Sequence, residues 1–87
     1  MRAYKATVTD AATLLIAADN KNRVGYINIV GNQTVAVGNS AVTFDTGLQL
    51  VKHSAPIHID VPLGETLYGI CTSGQTDDVR ILLPDGD

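Results

Sequence analysis

The sequence predicts an all-β protein, a small antiparallel β-sandwich or barrel of about seven to eight short strands. Apolar and polar residues alternate over short runs, and each run ends at Gly, Asn, Asp or Pro, which is typical of antiparallel strands joined by turns. Apolar residues make up 45% of the chain and aromatic residues only 5%, so the expected core consists of Val, Ile, Leu and Ala. The 87 residues are expected to form a single domain, 1–87, with a small stability margin.

The N-terminal part of the chain predicts two extended segments. Residues 1–9 alternate, with Tyr4, Ala6 and Val8 on one face, and form either the first strand or an N-terminal arm. Residues 12–18 are rich in Ala and Leu, which favours a helix. The segment is only about two helical turns long and has no charged face, and helices this short are marginal in isolation. We therefore predict a strand at residues 12–18.

The next two segments predict a hairpin. Residues 24–30 alternate as a strand, with Ile27 and Ile29 on the face that turns to the core. Gly and Asn tolerate a positive φ, so residues 31–33 are expected to form a turn. The shortest connection then pairs residues 34–37 with the preceding strand as its hairpin partner.

The second half of the chain is predicted to continue as short strands and turns. Pro56 cannot lie inside a ladder, so the strand that follows it begins at residue 57. Residues 66–72 are apolar on both faces, which is typical of a central or interface strand. The predicted segments are extended pieces at 42–44 and 47–51, strands at 57–61 and 66–72, a turn at 62–65, a polar loop at 73–78, a last strand that closes the sheet at 79–83, and a flexible tail at 84–87.

Charge and composition argue against several classes of partner. The net charge is −3 and the six basic residues form no run, so no nucleic-acid partner is expected. No stretch approaches the roughly 18 apolar residues of a membrane span, so no membrane partner is expected. The single cysteine, Cys71, excludes an intrachain disulfide and a zinc cage, and its apolar neighbours predict a buried, inert thiol.

The residues that normally carry catalysis do not form a catalytic pattern. His58 and Asp60 lie two residues apart on a predicted strand, so both side chains project from one face, with Cα atoms roughly 7 Å apart. This spacing suits an oriented imidazole or a pair of metal ligands, but a polar outer face explains it more simply. His53 and the serines lie in predicted loops without a nucleophile-elbow pattern, and the acidic stretches lack calcium-loop spacing. We expect no enzyme activity, no metal and no cofactor.

The order of segments resembles a group of small bacteriophage virion proteins. The resemblance covers residues 12–83 through several moderately specific segments. It departs from the group at residues 52–56, where a Gly-containing turn is commoner. The matching segments are residues 12–20, Arg23, the Tyr-Ile-Asn-Ile run at 26–29, the Val-Ala-Val-Gly run at 35–38, residues 42–50, the stretch from Pro62 to Ile70, and Val-Arg-Ile-Leu at 79–82.

The resemblance implies a structural role. Proteins of this group are all-β sandwiches that act as capsid decoration (cement) proteins or as parts of head and tail fibres. The expected location is therefore the capsid exterior. The expected partners are the major capsid protein and further copies of the chain, which would form a homotrimer. Residues 1–9 are expected to become ordered on the shell. The candidate interface residues are Arg2, Tyr4, Lys5, Tyr26, Tyr68, Arg80 and Leu82.

The alternative function is recognition of a host surface. A head- or tail-fibre module would bind a host glycan or surface protein through exposed loops at residues 19–23 and 73–78. Tyr26 would then offer its ring as a surface for stacking a sugar.

Overall fold

A computed structural model describes residues 2–52 and 57–83, which contain eight β-strands and no helix. The all-β prediction is confirmed, since the strands form two four-stranded antiparallel sheets around one apolar core. Within these residues no helix is long and apolar enough to cross a membrane. The strands are β1 (Arg2–Val8), β2 (Thr13–Ile16), β3 (Arg23–Ile29), β4 (Val35–Gly38), β5 (Leu48–Leu50), β6 (Ile57–Val61), β7 (Leu67–Ile70) and β8 (Asp77–Leu83).

The chain passes between the two sheets at almost every connection. The first sheet has the strand order β1-β8-β3-β6, and the second has the order β2-β7-β4-β5. Among these eight strands, only β4 and β5 are both consecutive in sequence and paired with each other. The predicted hairpin of residues 24–30 with residues 34–37 is therefore wrong. β3 pairs with β6 and β8, whereas β4 pairs with β5 and β7 in the opposite sheet.

The last strand, β8, lies in the interior of its sheet. β8 pairs with β1 on one side and with β3 on the other. It also begins earlier than expected, because Asp77 and Asp78 already belong to the strand, not to the preceding polar loop. β1 pairs with β8 over all seven of its residues, so residues 2–8 form a strand rather than a free arm.

The core lies between the two sheets and follows the predicted alternation. Ile27 and Ile29 of β3 are buried, as are Val79 and Ile81 of β8. Full burial of an aliphatic side chain contributes roughly 1.5–3 kcal/mol relative to exposure, so these positions dominate the stability of the sandwich. The other buried apolar residues are Val8, Leu15, Ile16, Val35, Ala36, Val37, Val42, Leu50, Val61, Cys71 and Leu83.

The ambiguous segment at residues 12–18 is a strand, as predicted. β2 pairs with β7 in antiparallel orientation, and the register shifts between Leu14 and Ile16. An irregularity of this kind lets two consecutive side chains point to the same side. It explains why Leu15 and Ile16 are both buried although they are neighbours in sequence.

The β4–β5 connection covers the outer face of the second sheet. Residues 42–44 are not an extended piece, as was predicted, but part of a series of turns, with Val42 N–H donating to the carbonyl of Asn39 at 3.0 Å. Val42 is buried in this loop. A Cβ on Gly47 would lie 2.7 Å from Val42 Cγ2 and 2.9 Å from Ala36 Cβ, so glycine is needed for the loop to pack this closely.

The turn predicted at residues 62–65 is confirmed. Glu65 N–H donates to the carbonyl of Pro62 at 3.0 Å, and Gly64 has a φ of +80°. Strand β6 begins at Ile57, as expected from the preceding proline. The expectations for His53 and for the tail at residues 84–87 lie outside the described residues.

Candidate binding face

The outer face of the first sheet carries two rows of side chains that cross three or four strands. In the first row, Ala3 of β1 lies opposite Leu82 of β8, Leu82 lies opposite Tyr26 of β3, and Tyr26 lies opposite His58 of β6. We call this the apolar row. Directly opposed residues of antiparallel strands have Cβ atoms about 4.5–5.5 Å apart, so the side chains of the row are in contact range.

The apolar row is exposed although two of its members are large. Leu82 retains 38% of its accessible surface and Tyr26 retains 41%. The Tyr26 and His58 rings pack with their centroids 5.5 Å apart and their planes tilted by 56°. Val24, two residues before Tyr26 on the same face of β3, is also exposed. The first sheet thus shows an apolar stripe on the side that faces away from the core.

The second row brings two positive charges together. Lys5 lies opposite Arg80, and Arg80 lies opposite Asn28. We call these three residues the cationic row. Like charges directly opposite each other destabilise a sheet. No carboxylate among the described residues lies within 4.0 Å of either cation. Asn28 Oδ1 is buried and has no hydrogen-bond partner within the described part of the chain.

Carboxylates lie on the same face, but outside the two rows. Asp78 is two residues before Arg80 on β8 and accepts a hydrogen bond of 3.0 Å from Thr7 Oγ1. Asp60 lies on β6, the edge strand at the other side of the sheet, with its Oδ1 3.6 Å from Nε2 of His58. Residues of both rows, but neither of these carboxylates, line an open concavity of about 860 Å³. Its lining is therefore positive and apolar, and the two carboxylates lie beyond it on the same face.

Four of the seven predicted interface residues project their side chains from this face, namely Lys5, Tyr26, Arg80 and Leu82, and all four line the concavity. Tyr4 also borders the concavity, but its side chain packs against the core and its hydroxyl donates to the carbonyl of Leu15 at 2.6 Å, which ties β1 to the edge of the second sheet. The guanidinium of Arg2 stacks 4.7 Å above the Tyr4 ring. Tyr68 belongs to the second sheet, opposite Leu14 and Gly38.

The sulfur of Cys71 is enclosed in the core, as expected. The residue is 2% exposed, and its thiol donates to the carbonyl of Val8 at 3.7 Å. Burial raises the pKa of the thiol, and the carboxylates of Asp77 and Asp10 raise it further. The nucleophilic thiolate is therefore disfavoured. No group of three or more potential metal-ligating side chains occurs in residues 2–52 and 57–83.

Two buried charged residues were not predicted, and both bond to the backbone of connecting segments. Arg23 is 5% exposed, and its guanidinium donates to the carbonyls of Ala17 at 2.6 Å and Glu65 at 3.2 Å. These bonds join the two loops at the start of β3. The sequence does hold a signal, because Arg23 lies in phase with the inward-facing residues of β3.

Asp77 is the corresponding residue at the other end of β3. It is 6% exposed, and its carboxylate accepts bonds from the backbone N–H groups of Gly31 at 2.8 Å, Gln33 at 2.9 Å and Asp78 at 2.7 Å. A Cβ on Gly31 would overlap the carboxylate, so glycine is required there. Asp77 thereby holds the turn that carries the chain from the first sheet to the second.

The outer face of the first sheet has features that suit binding of a partner. His58 and Asp60 form a close acid–base pair on this face, which is exposed and has no serine, threonine or cysteine hydrogen-bonded to it within the described ranges. The face offers an exposed apolar stripe and two adjacent cations. Comparison of the chain with protein-family models, with curated proteins and with solved structures gave no match.

Proposed function

We propose that this chain is a structural virion protein, a capsid decoration (cement) protein that attaches to the outside of a bacteriophage head through the outer face of its first sheet. The observation that carries the attachment is the exposed apolar row beside the cationic row. The assignment to a virion rests on the resemblance of residues 12–83 to small phage virion proteins. A sheet face with large apolar side chains and charges without partners is the kind of surface that a partner covers.

The size of the face supports attachment in several copies. Strands about 4.8 Å apart, with up to about seven residues at about 3.3 Å each, give the four-stranded sheet a footprint of roughly 15 by 20 Å. Stable interfaces usually bury about 800 Å² on each partner. One copy is therefore expected to bind weakly. A homotrimer would present three such faces, and its contacts would reinforce one another through effective concentration.

The experiment that tests this function is a count of copies per particle. Virions from the source of the chain are purified on a density gradient, and the chain is quantified by mass spectrometry relative to the major shell protein. A ratio near one per shell subunit, or a simple fraction of it, is expected for a decoration protein. A few to a few tens of copies would place the chain in a fibre, neck or tail, and its absence from virions would refute both virion roles.

A second function is favoured by the paired rings on the face. Tyr26 and His58 form an exposed aromatic platform, and Asp60 and Asn28 place hydrogen-bonding groups beside it. Stacking on a ring with polar groups at its margin is a common way to hold a sugar, which fits a head- or tail-fibre module that recognises a host glycan. Binding of the isolated domain on a glycan array, lost in Tyr26→Ala, would support this function. Absence of binding to every glycan on the array would contradict this second function.

A further inference from the structure

We infer that the cationic row binds a carboxylate of the partner, presented by an extended acidic segment whose neighbouring apolar side chain packs on the apolar row. This inference rests on the proposed function only in taking the outer face of the first sheet as the docking surface. It names the chemistry of the partner, a protein segment with an acidic and an apolar side chain on one side, which the proposed function leaves open.

The first argument is the position of the two cations. Lys5 and Arg80 occupy opposed positions on adjacent strands, so the backbone holds their side chains on the same side of the sheet. Both are exposed, and no acidic group of the described chain pairs with them. A carboxylate between them would convert a repulsive contact into two charge-assisted hydrogen-bonding contacts, and the guanidinium fork matches a carboxylate in both shape and charge.

The second argument is the acceptor beside them. Asn28 completes the row on β3, and its Oδ1 is buried without a hydrogen-bond partner. Buried polar atoms in folded proteins are nearly always satisfied. The Asn28 residue is only half-buried, so rotation of its amide towards a segment lying over the row would let Oδ1 accept a backbone N–H, a donor that a bare anion such as phosphate does not offer. The acceptor therefore favours a peptide over an isolated anion.

The third argument is the spacing of the two rows. Lys5 is two residues from Ala3, Arg80 two from Leu82, and Asn28 two from Tyr26. Residues two apart on a strand are separated by about 7 Å and project from the same face. An extended segment of a partner has the same repeat. A pattern of an acidic residue, any residue and an apolar residue would therefore place its carboxylate on the cationic row and its apolar side chain on the apolar row.

The margins of the face disfavour a polyanion. Asp78 lies two residues before Arg80 on β8, and Asp60 lies two residues after His58 on β6. A nucleic acid that contacted Lys5 and Arg80 would bring further phosphates close to these carboxylates. The chain as a whole also carries a net charge of −3. A single carboxylate fits between the acidic margins, whereas a run of phosphates does not.

The test uses two blocked peptides and the ¹⁵N-labelled full chain. The peptides are Ac-Gly-Ser-Glu-Ser-Leu-Gly-NH₂ and the same sequence with Gln in place of Glu, each titrated to millimolar concentration while amide shifts are recorded. We expect the Glu peptide to shift amides of β1, β3 and β8, and the Gln peptide to bind about five- to thirty-fold more weakly. The double variant Lys5→Gln/Arg80→Gln should lose this difference.

A matched control distinguishes an effect of the cationic row from an effect of the net charge of the chain. Lys21→Gln/Lys52→Gln removes two exposed positive charges outside the outer face and should bind the Glu peptide as the unmodified chain does. The inference is overturned if the Glu and Gln peptides act alike, if neither shifts the outer-face amides, or if both double variants weaken binding equally. Tighter binding of a short oligothymidylate to the same amides would also overturn it, in favour of a nucleic acid.

A second arm distinguishes failure of the inference from failure of the proposed function. The unmodified chain and both double variants are co-sedimented with empty shells of the phage that encodes the chain. If the unmodified chain and Lys5→Gln/Arg80→Gln bind the shells equally, the inference is wrong while the decoration role stands. If the unmodified chain does not bind shells but discriminates between the two peptides, the decoration role is wrong and the preference for a carboxylate stands.

Discussion

Replacing Asp77 by Ala is expected to destabilise the domain strongly although the residue lies at the first position of β8, outside the apolar core cluster. Its carboxylate accepts long-range hydrogen bonds from the backbone of Gly31 and Gln33. A hydrogen bond to a charged group contributes about 1.5–3 kcal/mol, and loss of the acceptor leaves partly buried donors unpaired. We therefore expect the free energy of unfolding to fall by about 3 to 5 kcal/mol, out of roughly 4 to 13 kcal/mol for a chain of this size.

The assay is urea unfolding followed by circular dichroism, supported by thermal unfolding. The melting temperature should fall by about 12 °C or more, since about 1 kcal/mol corresponds to about 4–8 °C in a domain of this size. Asp77→Asn keeps the side-chain volume but turns a donor towards a backbone N–H, so it should also be destabilised. The matched control is Asp78→Ala, which should cost less than about 1 kcal/mol because, among residues 2–52 and 57–83, its carboxylate accepts only the exposed bond from Thr7 Oγ1. Equal effects of Asp77→Ala and Asp78→Ala would refute the reasoning.

The remaining predictions concern the core and its thiol. Ile27→Ala should lower the free energy of unfolding by about 2 to 5 kcal/mol in urea titrations, whereas Val24→Ala, on the exposed face of the same strand, should change it by no more than about 0.5 kcal/mol; similar values for the two would contradict the assignment of faces. Because burial, then Asp77 and Asp10, raise the pKa of the Cys71 thiol above its ordinary value of 9.0, the folded state holds this proton more tightly than the unfolded state. The free energy of unfolding should therefore fall as pH rises above 9.0, and Cys71→Ala should lack that part of the decline; an identical pH dependence in both proteins would contradict it.

The faces of the strands could be predicted from the sequence, but the sheet to which each strand belongs could not. Alternation places Ile27 and Ile29 on one side of β3 whichever neighbours the strand has. The partition between sheets depends on how each connection turns. The turn after β3 crosses to the other sheet, where it is held by a carboxylate 46 residues away from Gly31 in sequence. The local sequence contains no information about that distant bond. Interpretation of the local sequence alone therefore favours the shortest connection, which is a hairpin.

Several residues of the candidate binding face could be named from the sequence, but the way in which the fold brings them together could not. Lys5, Tyr26, Arg80 and Leu82 stand out individually as outward-facing positions. Their convergence depends on the pairing of β1 with β8, the two ends of the described chain, and of β8 with β3. Tyr4 was assigned to an interface, but the structure gives its hydroxyl an internal partner. A tyrosine in phase with the core residues of its strand is better interpreted as a structural link.

The buried Asp77 shows that the alternation of buried and exposed residues in β8 extends to its first residue. Asp77 is in phase with Val79, Ile81 and Leu83, so continuing the pattern of β8 by one step would have placed it inside. Its polarity instead favoured assignment to the loop before the strand. Polar residues at the ends of buried strands satisfy the backbone of adjoining turns, and a sequence pattern does not show which turn lies there.

The most direct test of the docking face compares two exposed leucines. Leu82 lies in the apolar row of the first sheet, and Leu48, which is 67% exposed, lies on β5 of the second sheet. Leu82→Ser and Leu48→Ser are expected to fold with similar stability, because both side chains are on the surface. In co-sedimentation with empty shells, Leu82→Ser should lose most of its binding and Leu48→Ser should bind as the unmodified chain does. Loss of binding in Leu48→Ser with full binding in Leu82→Ser would show that the chain docks through the second sheet and would contradict the proposed binding face.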